Sequence, residues 1–371
     1  MKFEVQKSVL ISGIFDCYKI ADSGPNINPI LTNLQLNALS DGTVTCIATD
    51  AAASVHSTFK SDVSKGGKAT ISAKLFYNIV SSMSGDSVTI EKVDNQVIII
   101  SQKAKFELNA MRDEDFPSIY IPAADAFSSF EPIVLSEIID KTIFSVSNDD
   151  AKQHLTGIFM VCKDKIAIAV STDGHRLTLS EYAYEGEFTL PAGIIIPKKA
   201  AKEIKRLADT NPDGIMLAYI QEKKMLAVKA GVTIMTVRII DSKFPPYEQV
   251  IPDYKENVMV VPKSQMQASL KRIQLISEGS ESGTILTLGK DLLKLTSTDV
   301  SKGKAFEEIE VDYQGEEFTI AFNIKFLDQI LGKIEGPELK MTFGGAKAAA
   351  LVTPVDSTSF VAVIMPLKLS D

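Results

Sequence analysis

Three landmarks recur along this chain at intervals of about 125 residues, and a tandem triplication restricts the possible folds more than any other feature of the sequence. A strand-like run ending in Thr-Asp occurs three times, which places Asp50, Asp173 and Asp299 at spacings of 123 and then 126 residues. Residues 71–76, 196–201 and 322–327 each lead an apolar strand end into a helix. Lys74, Lys199 and Lys325 mark that passage 125 and then 126 residues apart, and Ile79, Ile204 and Ile330 repeat the spacing. Asp115-Phe116-Pro117, Lys243-Phe244-Pro245 and Ile364-Met365-Pro366 close the three units.

Each unit reads as two helices among many strands. Apolar stripes at i, i+3, i+4 and i+7 mark the second helices: Phe76, Ile79, Val80, Met83, then Ala200, Ile204, Leu207, Ala208, then Leu327, Ile330, Leu331, Ile334. The first helices are marked by Leu10, Ile14, Tyr18, by Ile139, Ile143, Val146, and by Met266, Leu270, Ile273. Short apolar or alternating runs at 97–100, 165–168 and 292–295, bounded by glycine or Asp-Gly turns, read as strands. The predicted class is α+β, with three tandem repeats of two helices against mainly antiparallel sheets. Linker-like stretches around Ile121-Pro122-Ala123-Ala124 and Pro252-Asp253-Tyr254-Lys255 divide the chain at 1–124, 125–252 and 253–371.

A chain of 371 residues exceeds one ordinary core, in keeping with several domains. No run reaches the roughly 18 apolar residues of a membrane helix, and the start lacks the apolar stretch of a secretory signal. Cys17, Cys46 and Cys162 are scattered and odd in number, as expected of reduced thiols in a cytoplasmic protein. The net charge of −8 argues against gripping nucleic acid by bulk charge. Catalytic motifs are missing. Gly66-Gly67-Lys68 lacks the upstream glycine of a phosphate loop, and neither G-x-G-x-x-G after a strand nor G-x-S-x-G occurs. His56, His154 and His175 have no i+4 histidine or cysteine pair, so neither metal nor cofactor is expected. Asp50, Asp173 and Asp299 read as turn formers at strand ends rather than catalytic carboxylates.

Thr172-Asp173-Gly174-His175-Arg176-Leu177 resembles the signature of the second domain of the bacterial DNA polymerase III beta subunit, the DNA sliding clamp family. Met1-Lys2-Phe3 with residues 28–34, Lys243-Phe244-Pro245-Pro246-Tyr247 with Val250 and Pro252, and the terminal residues 363–369 resemble further segments of that family, in order and end to end. The resemblance implies a head-to-tail homodimer forming a six-domain ring, with sheets outside and twelve helices lining the hole. It implies a non-catalytic processivity factor that encircles duplex DNA without sequence specificity. Its implied partners are the replicative polymerase, the clamp loader and other repair and replication proteins.

An acidic ring holds DNA by topology and needs only a mildly positive lining. The helical pattern from Lys198 to Ala208 supplies one: Ala200, Ala201, Ile204, Leu207 and Ala208 on one side, Lys198, Lys199, Lys202, Lys205 and Arg206 on the other. With Glu203 at the margin that segment carries +4. Lys263, Lys271, Arg272 and Lys333 are weaker candidates. Where the family often places basic or polar residues, in the loop after the first helix, this chain has Ser23-Gly24-Pro25-Asn26.

The resemblance further implies a partner-peptide groove between the second and third repeats, at Leu155, Thr172, Gly174, His175, Arg176, Leu177, Pro245, Val250, Val363, Met365, Pro366 and Leu367. Aliphatic side chains there offer apolar surface, and methionine adapts to different anchors. Lys152 stands where the family commonly has arginine, and the tail runs on to Ser370-Asp371. For ring closure the resemblance places Lys74, Lys103, Lys105 and Phe106 opposite Leu275, Ile276, Glu307 and Glu308. Two other readings are a diverged monomer that binds peptides without encircling DNA, and a hydrolase or transferase on a repeated scaffold.

Overall fold

The Thr-Asp landmarks end strands in all three repeats, and the aspartate does the same local work each time. Asp50 Oδ1 accepts from the backbone N–H groups of Ala52 and Ala53 at 3.0 and 2.7 Å, and Asp173 Oδ1 from those of His175 and Arg176, both at 3.0 Å. Asp299 Oδ1 accepts from Ser301 and Lys302 at 2.8 and 2.9 Å. A carboxylate that bonds its own backbone two and three residues on turns the chain cheaply. The computed structural model describes residues 1–21, 28–276, 283–299 and 301–368. The loop Ser23-Gly24-Pro25-Asn26 and the terminal Ser370-Asp371 lie outside the described residues.

Strands in the described residues form four antiparallel sheets. Two lie in a first compact unit of residues 1–132, 186–188 and 207–239, and two in a second of residues 133–185, 189–206 and 240–371. The three sequence repeats and the two units do not coincide, because the central repeat completes a sheet with each neighbour. In the first unit, an eight-stranded sheet joins Thr233–Arg238 to Ala53–Lys60, pairing Met235 with Val55 and Ile234 with His56. In the second, a nine-stranded sheet joins Arg176–Ala183 to Phe360–Ile364, pairing Leu177 with Val363. The first unit also holds a five-stranded sheet whose edge is Ala104–Asn109, and the second a four-stranded sheet whose edge is Gly303–Glu310.

Six α-helices occur among the described residues, two per repeat: α1 Lys7–Ile20, α2 Ala73–Ser82, α3 Pro132–Asp140, α4 Lys198–Thr210, α5 Lys263–Gln274 and α6 Ile324–Leu331. Their predicted stripes are buried: Leu10 and Ile14 on α1, Phe76, Ile79 and Val80 on α2, Met266, Leu270 and Ile273 on α5. In α1, Gly13 permits close packing, since a Cβ there would stand 2.3 Å from the Phe59 ring. Tyr18 of α1 stacks on Tyr77 of α2 with ring centroids 4.4 Å apart. Side-chain hydroxyls and amides cap helix starts, Ser72 Oγ accepting from Leu75 N and Asn323 Oδ1 from Lys325 N and Phe326 N.

One predicted helix is shorter than its pattern. The Ile139, Ile143, Val146 spacing reads as continuous, yet α3 stops at Asp140 and only a 3-10 turn follows at Ile143–Ser145. Thr142 breaks the run: its φ of −121° is not helical, and its hydroxyl donates back to Ile138 O at 2.6 Å. Val146 is nonetheless buried, so the periodicity marked the core without marking the helix.

Candidate functional site

In the second unit the turn after Asp173 is drawn tight by side chains. Thr172 Oγ1 donates to Arg176 O at 2.6 Å, Gly174 N donates to Thr172 Oγ1 at 3.0 Å, and Gly174 has a φ of +90°, a conformation natural to glycine. The last strand arrives antiparallel beside it, and Met365 N donates to His175 O at 2.9 Å. Between the turn, that strand and the Phe244-Pro245 segment lies a mainly apolar cavity of about 210 Å³.

Nine of the twelve predicted groove residues line it: Leu155, Thr172, Gly174, Arg176 and Leu177 from the central repeat, with Pro245, Val250, Val363 and Met365. They play unequal parts. Leu177 and Val363 are 2% and 1% exposed and form the floor, whereas Met365 and Val250 are 47% and 49% exposed and form the rim. His175, Pro366 and Leu367 are not in the lining. His175 is exposed at the turn tip, and Leu367 donates its N–H to Ala321 O at 2.7 Å against the four-stranded sheet. Phe244 and Tyr247 complete the wall. Phe244 stacks on Phe159 at 5.0 Å and Tyr247 packs on the same ring at 6.1 Å. The Lys243-Phe244-Pro245 landmark held the signal for Phe244. Burial, helped by Glu248, pushes the Tyr247 phenol up to about 12.

Arg176 faces away from solvent. Its Nε donates to Asp173 Oδ2 at 3.0 Å, Nη1 to Gln329 Oε1 at 2.6 Å and Nη2 to Phe144 O at 2.6 Å. The guanidinium also lies 4.1 Å from the Phe326 ring centroid and 5.2 Å from that of Phe144. Burial lowers its pKa and Asp173 opposes the shift.

On α4, Ala200, Ala201, Ile204, Leu207 and Ala208 are buried as predicted, and Lys199 and Lys202 are exposed. The helix runs on through Asp209, so five basic and two acidic residues give it +3 rather than the +4 of the shorter segment. Its charges are also partly answered. Arg206 Nε pairs with Glu203 at 2.8 Å, Lys205 comes within 4.0 Å of Asp140, and Lys198 donates to Asn148 Oδ1 at 2.9 Å. Burial and the neighbouring Lys202 and Arg176 lower the Lys198 pKa. Among the weaker candidates, Lys263 Nζ donates to Ile334 O just past α6, Lys333 pairs with Asp140 at 2.7 Å, and Arg272 grips Glu307 through two hydrogen bonds. Lys271 is exposed, as is Lys152, whose Nζ lies 3.9 Å from Asp149.

Apart from Lys74, the residues predicted for ring closure lie on or beside two sheet edges. Lys105 and Phe106 are exposed on the edge strand Ala104–Asn109, Lys103 precedes it, and Lys74 is exposed on α2. Glu307 and Glu308 lie on the edge strand Gly303–Glu310, and Leu275, just past α5, is 69% exposed beside a half-buried Ile276. Sequence reasoning missed Phe306, which is 60% exposed on that edge, and Leu75 on α2. Both leave apolar surface open to solvent.

Family comparison resolves the class. Residues 1–120, 130–246 and 248–368 match the N-terminal, central and C-terminal domains of the DNA polymerase III beta subunit. The chain belongs to this family. A beta sliding clamp from Caulobacter vibrioides is 28% identical over 381 residues, covering the whole of both chains, and one from Haemophilus influenzae is 26% identical, again over both whole chains. Among solved structures, the C. crescentus beta sliding clamp matches with a TM-score of 0.92 at 27% identity, and the Thermotoga maritima beta subunit with 0.91 at 25%, each over the full length of both chains. The beta subunit is a processivity clamp for DNA polymerase III and not a catalyst, which agrees with the missing catalytic motifs. Among the described residues no helix is long and apolar enough to cross a membrane.

Proposed function

We propose that two copies of this chain close head-to-tail into a six-domain ring around duplex DNA in the cytoplasm, and that the cavity beside Met365 tethers the replicative polymerase, the clamp loader and other clamp-binding proteins. The observation that carries this reading is the pair of sheet edges. Each is an unpaired row of backbone donors and acceptors, a template for pairing with a second chain. Each also carries exposed apolar side chains: Phe106 on one edge strand, and Phe306 with Leu275 of the adjoining α5 end at the other. Lys103 and Lys105 at the first edge complement Glu307 and Glu308 at the second. Within the chain Lys105 pairs with Glu107 and Glu308 with Lys294, exposed and weak pairs that exchange at little cost, whereas Glu307 is already held by Arg272.

A ring resolves the conflict between holding and sliding. A protein held by phosphate contacts loses affinity with salt, with a logarithmic slope of about −0.9 per contact, and each contact hinders movement. An encircling protein cannot leave sideways whatever its affinity. The partly neutralised face of α4, with Lys199 and Lys202 exposed, supplies mild attraction without a grip. The test is retention of loaded protein on nicked circular duplex in salt that abolishes ordinary binding, followed by linearisation. Prompt release on cutting is expected; persistence on the linear product with free ends would rule out encirclement.

The Met365 cavity suits anchored peptides. Its rim and floor are apolar, and burying one Leu or Phe side chain is worth about 1.5–3 kcal/mol, so three at the upper figure reach the roughly 8 kcal/mol of a micromolar complex.

A further inference from the structure

The first unit contains a second copy of the groove's backbone, built from the first and central repeats. Thr49 Oγ1 donates to Ala53 O at 2.8 Å, as Thr172 Oγ1 does to Arg176 O. Ala51 N donates to Thr49 Oγ1 at 3.1 Å with φ +73°, matching Gly174. Arg238 N donates to Ala52 O at 2.8 Å, as Met365 N does to His175 O at 2.9 Å. The strand registers agree, Ala53 opposite Val237 in one copy and Arg176 opposite Ile364 in the other. Ser54 therefore stands where Leu177 does, and Arg238 where Met365 does.

This copy encloses a recess of about 650 Å³, within the range of pockets that hold whole ligands. Its chemistry is inverted. Arg238 and Lys223 face it, Lys223 Nζ lying 4.6 Å from the Tyr120 ring centroid, and Thr49, Ser54 and Ser118 line it with hydroxyls. Asp115 is the one acid in the lining, and Arg112 already engages it at 3.0 and 3.2 Å. A local excess of cations in a chain of net charge −8 selects for an anionic visitor. Ile30, Ile119 and Met225 leave apolar surface between the charges.

We propose that this recess is a second peptide-docking site, which takes a short extended acidic segment of a partner protein carrying one apolar residue. It rests on the reading of the Met365 cavity as a peptide groove, from which it inherits the extended geometry. The experiment is fluorescence anisotropy on the full chain with a labelled Glu-Glu-Leu-Glu-Glu peptide and, in parallel, an apolar polymerase C-terminal peptide. The exposed pair Arg238→Glu with Lys223→Glu should weaken the acidic peptide by about tenfold or more and leave the apolar one unchanged. Arg238→Met should weaken the acidic peptide severalfold, while Met365→Glu should weaken only the apolar one. Equal binding of the acidic peptide to wild type and the double variant overturns the proposal, as does its loss in Met365→Glu. Displacement by inorganic phosphate or short duplex as readily as by unlabelled peptide also overturns it, reducing the recess to a general anion site. An apolar peptide indifferent to Met365→Glu, beside an acidic peptide that depends on Arg238, removes the first reading and keeps this one.

Discussion

Arg176 Nη1 donates to Gln329 Oε1 at 2.6 Å, joining the signature turn of the central repeat to helix α6 of the third. The guanidinium is spent on this bond, on Asp173 and on Phe144 O, and its faces meet two phenylalanine rings. It acts as mortar under the groove rather than as a hand extended into it. Lysine keeps the charge but cannot reproduce a planar fork with three acceptors. Arg176→Lys is therefore expected to cost about 2–4 kcal/mol in urea unfolding, and Gln329→Leu about 1 kcal/mol. A double-mutant cycle should return a coupling of about 1 kcal/mol or more. An unchanged unfolding midpoint in Arg176→Lys would contradict this.

His56 predicts an acid-side loss of stability. It lies half-buried on the strand Ala53–Lys60, opposite Ile47 and Ile234, and its Nδ1 has no hydrogen-bond partner. Burial lowers its pKa below the ordinary histidine value. The unfolded chain then takes up a proton before the folded one, so stability falls as pH drops through about 6.5. Urea midpoints compared between about pH 7.5 and about pH 5 should fall more steeply for wild type than for His56→Gln. Identical slopes would assign the pH dependence to other groups.

The three cysteines should be chemically silent. Cys17, Cys46 and Cys162 are buried and free, and burial alone pushes the Cys162 thiol up to about 12. Since the thiolate is the nucleophile, a thiol reagent at neutral pH should label none of them in the native protein and all three in denaturant. Rapid native labelling of Cys162 would show that the sheet opens locally.

The repeat and its turns were legible because their causes are local. Asp50, Asp173 and Asp299 each bond backbone two and three residues away, and such spacing is visible in one dimension. The sharing of the central repeat was not legible, because pairing Thr233–Arg238 with Ala53–Lys60 joins segments far apart in sequence. The burial of Arg176 is not legible in its signature, because Gln329 and Phe144 O arrive from elsewhere in the chain. The face of α4 reads as more positive than it is, because Asp140 comes from another helix. Leu177 lines the cavity as its floor and not at its rim, a distinction that depends on the pairing of its strand with Val363.

Ring closure is open to a direct test. Leu275 is 69% exposed and Phe306 60%, so truncating them leaves the monomer's core intact. Leu275→Ala with Ile276→Ala, or Phe306→Ala, should each remove about 1.5–3 kcal/mol of burial per side chain from each of two equivalent contacts. Sedimentation at nanomolar concentration should show a folded monomer, with native unfolding behaviour and no retention on circular DNA. A variant that remains dimeric would place the contact elsewhere.

The groove demands a cleaner probe than its floor. Leu177→Lys would bury a charge in a side-chain position that is 2% exposed, so it would unsettle the sheet as well as the cavity. Met365 is 47% exposed at the rim, and its backbone, not its side chain, holds the strand end to His175 O. Met365→Ala should therefore preserve stability and weaken an apolar polymerase peptide by about tenfold, the worth of part of one buried side chain. Deleting Met365 through Asp371 should remove that binding entirely, together with loader-dependent placement on DNA. Because neither sheet edge includes the tail, the truncated chain should still sediment as a dimer. Anisotropy with one labelled peptide against wild type, Met365→Ala and the truncation decides the matter: a graded loss places the anchor at the rim, and equal affinity for all three places the peptide elsewhere.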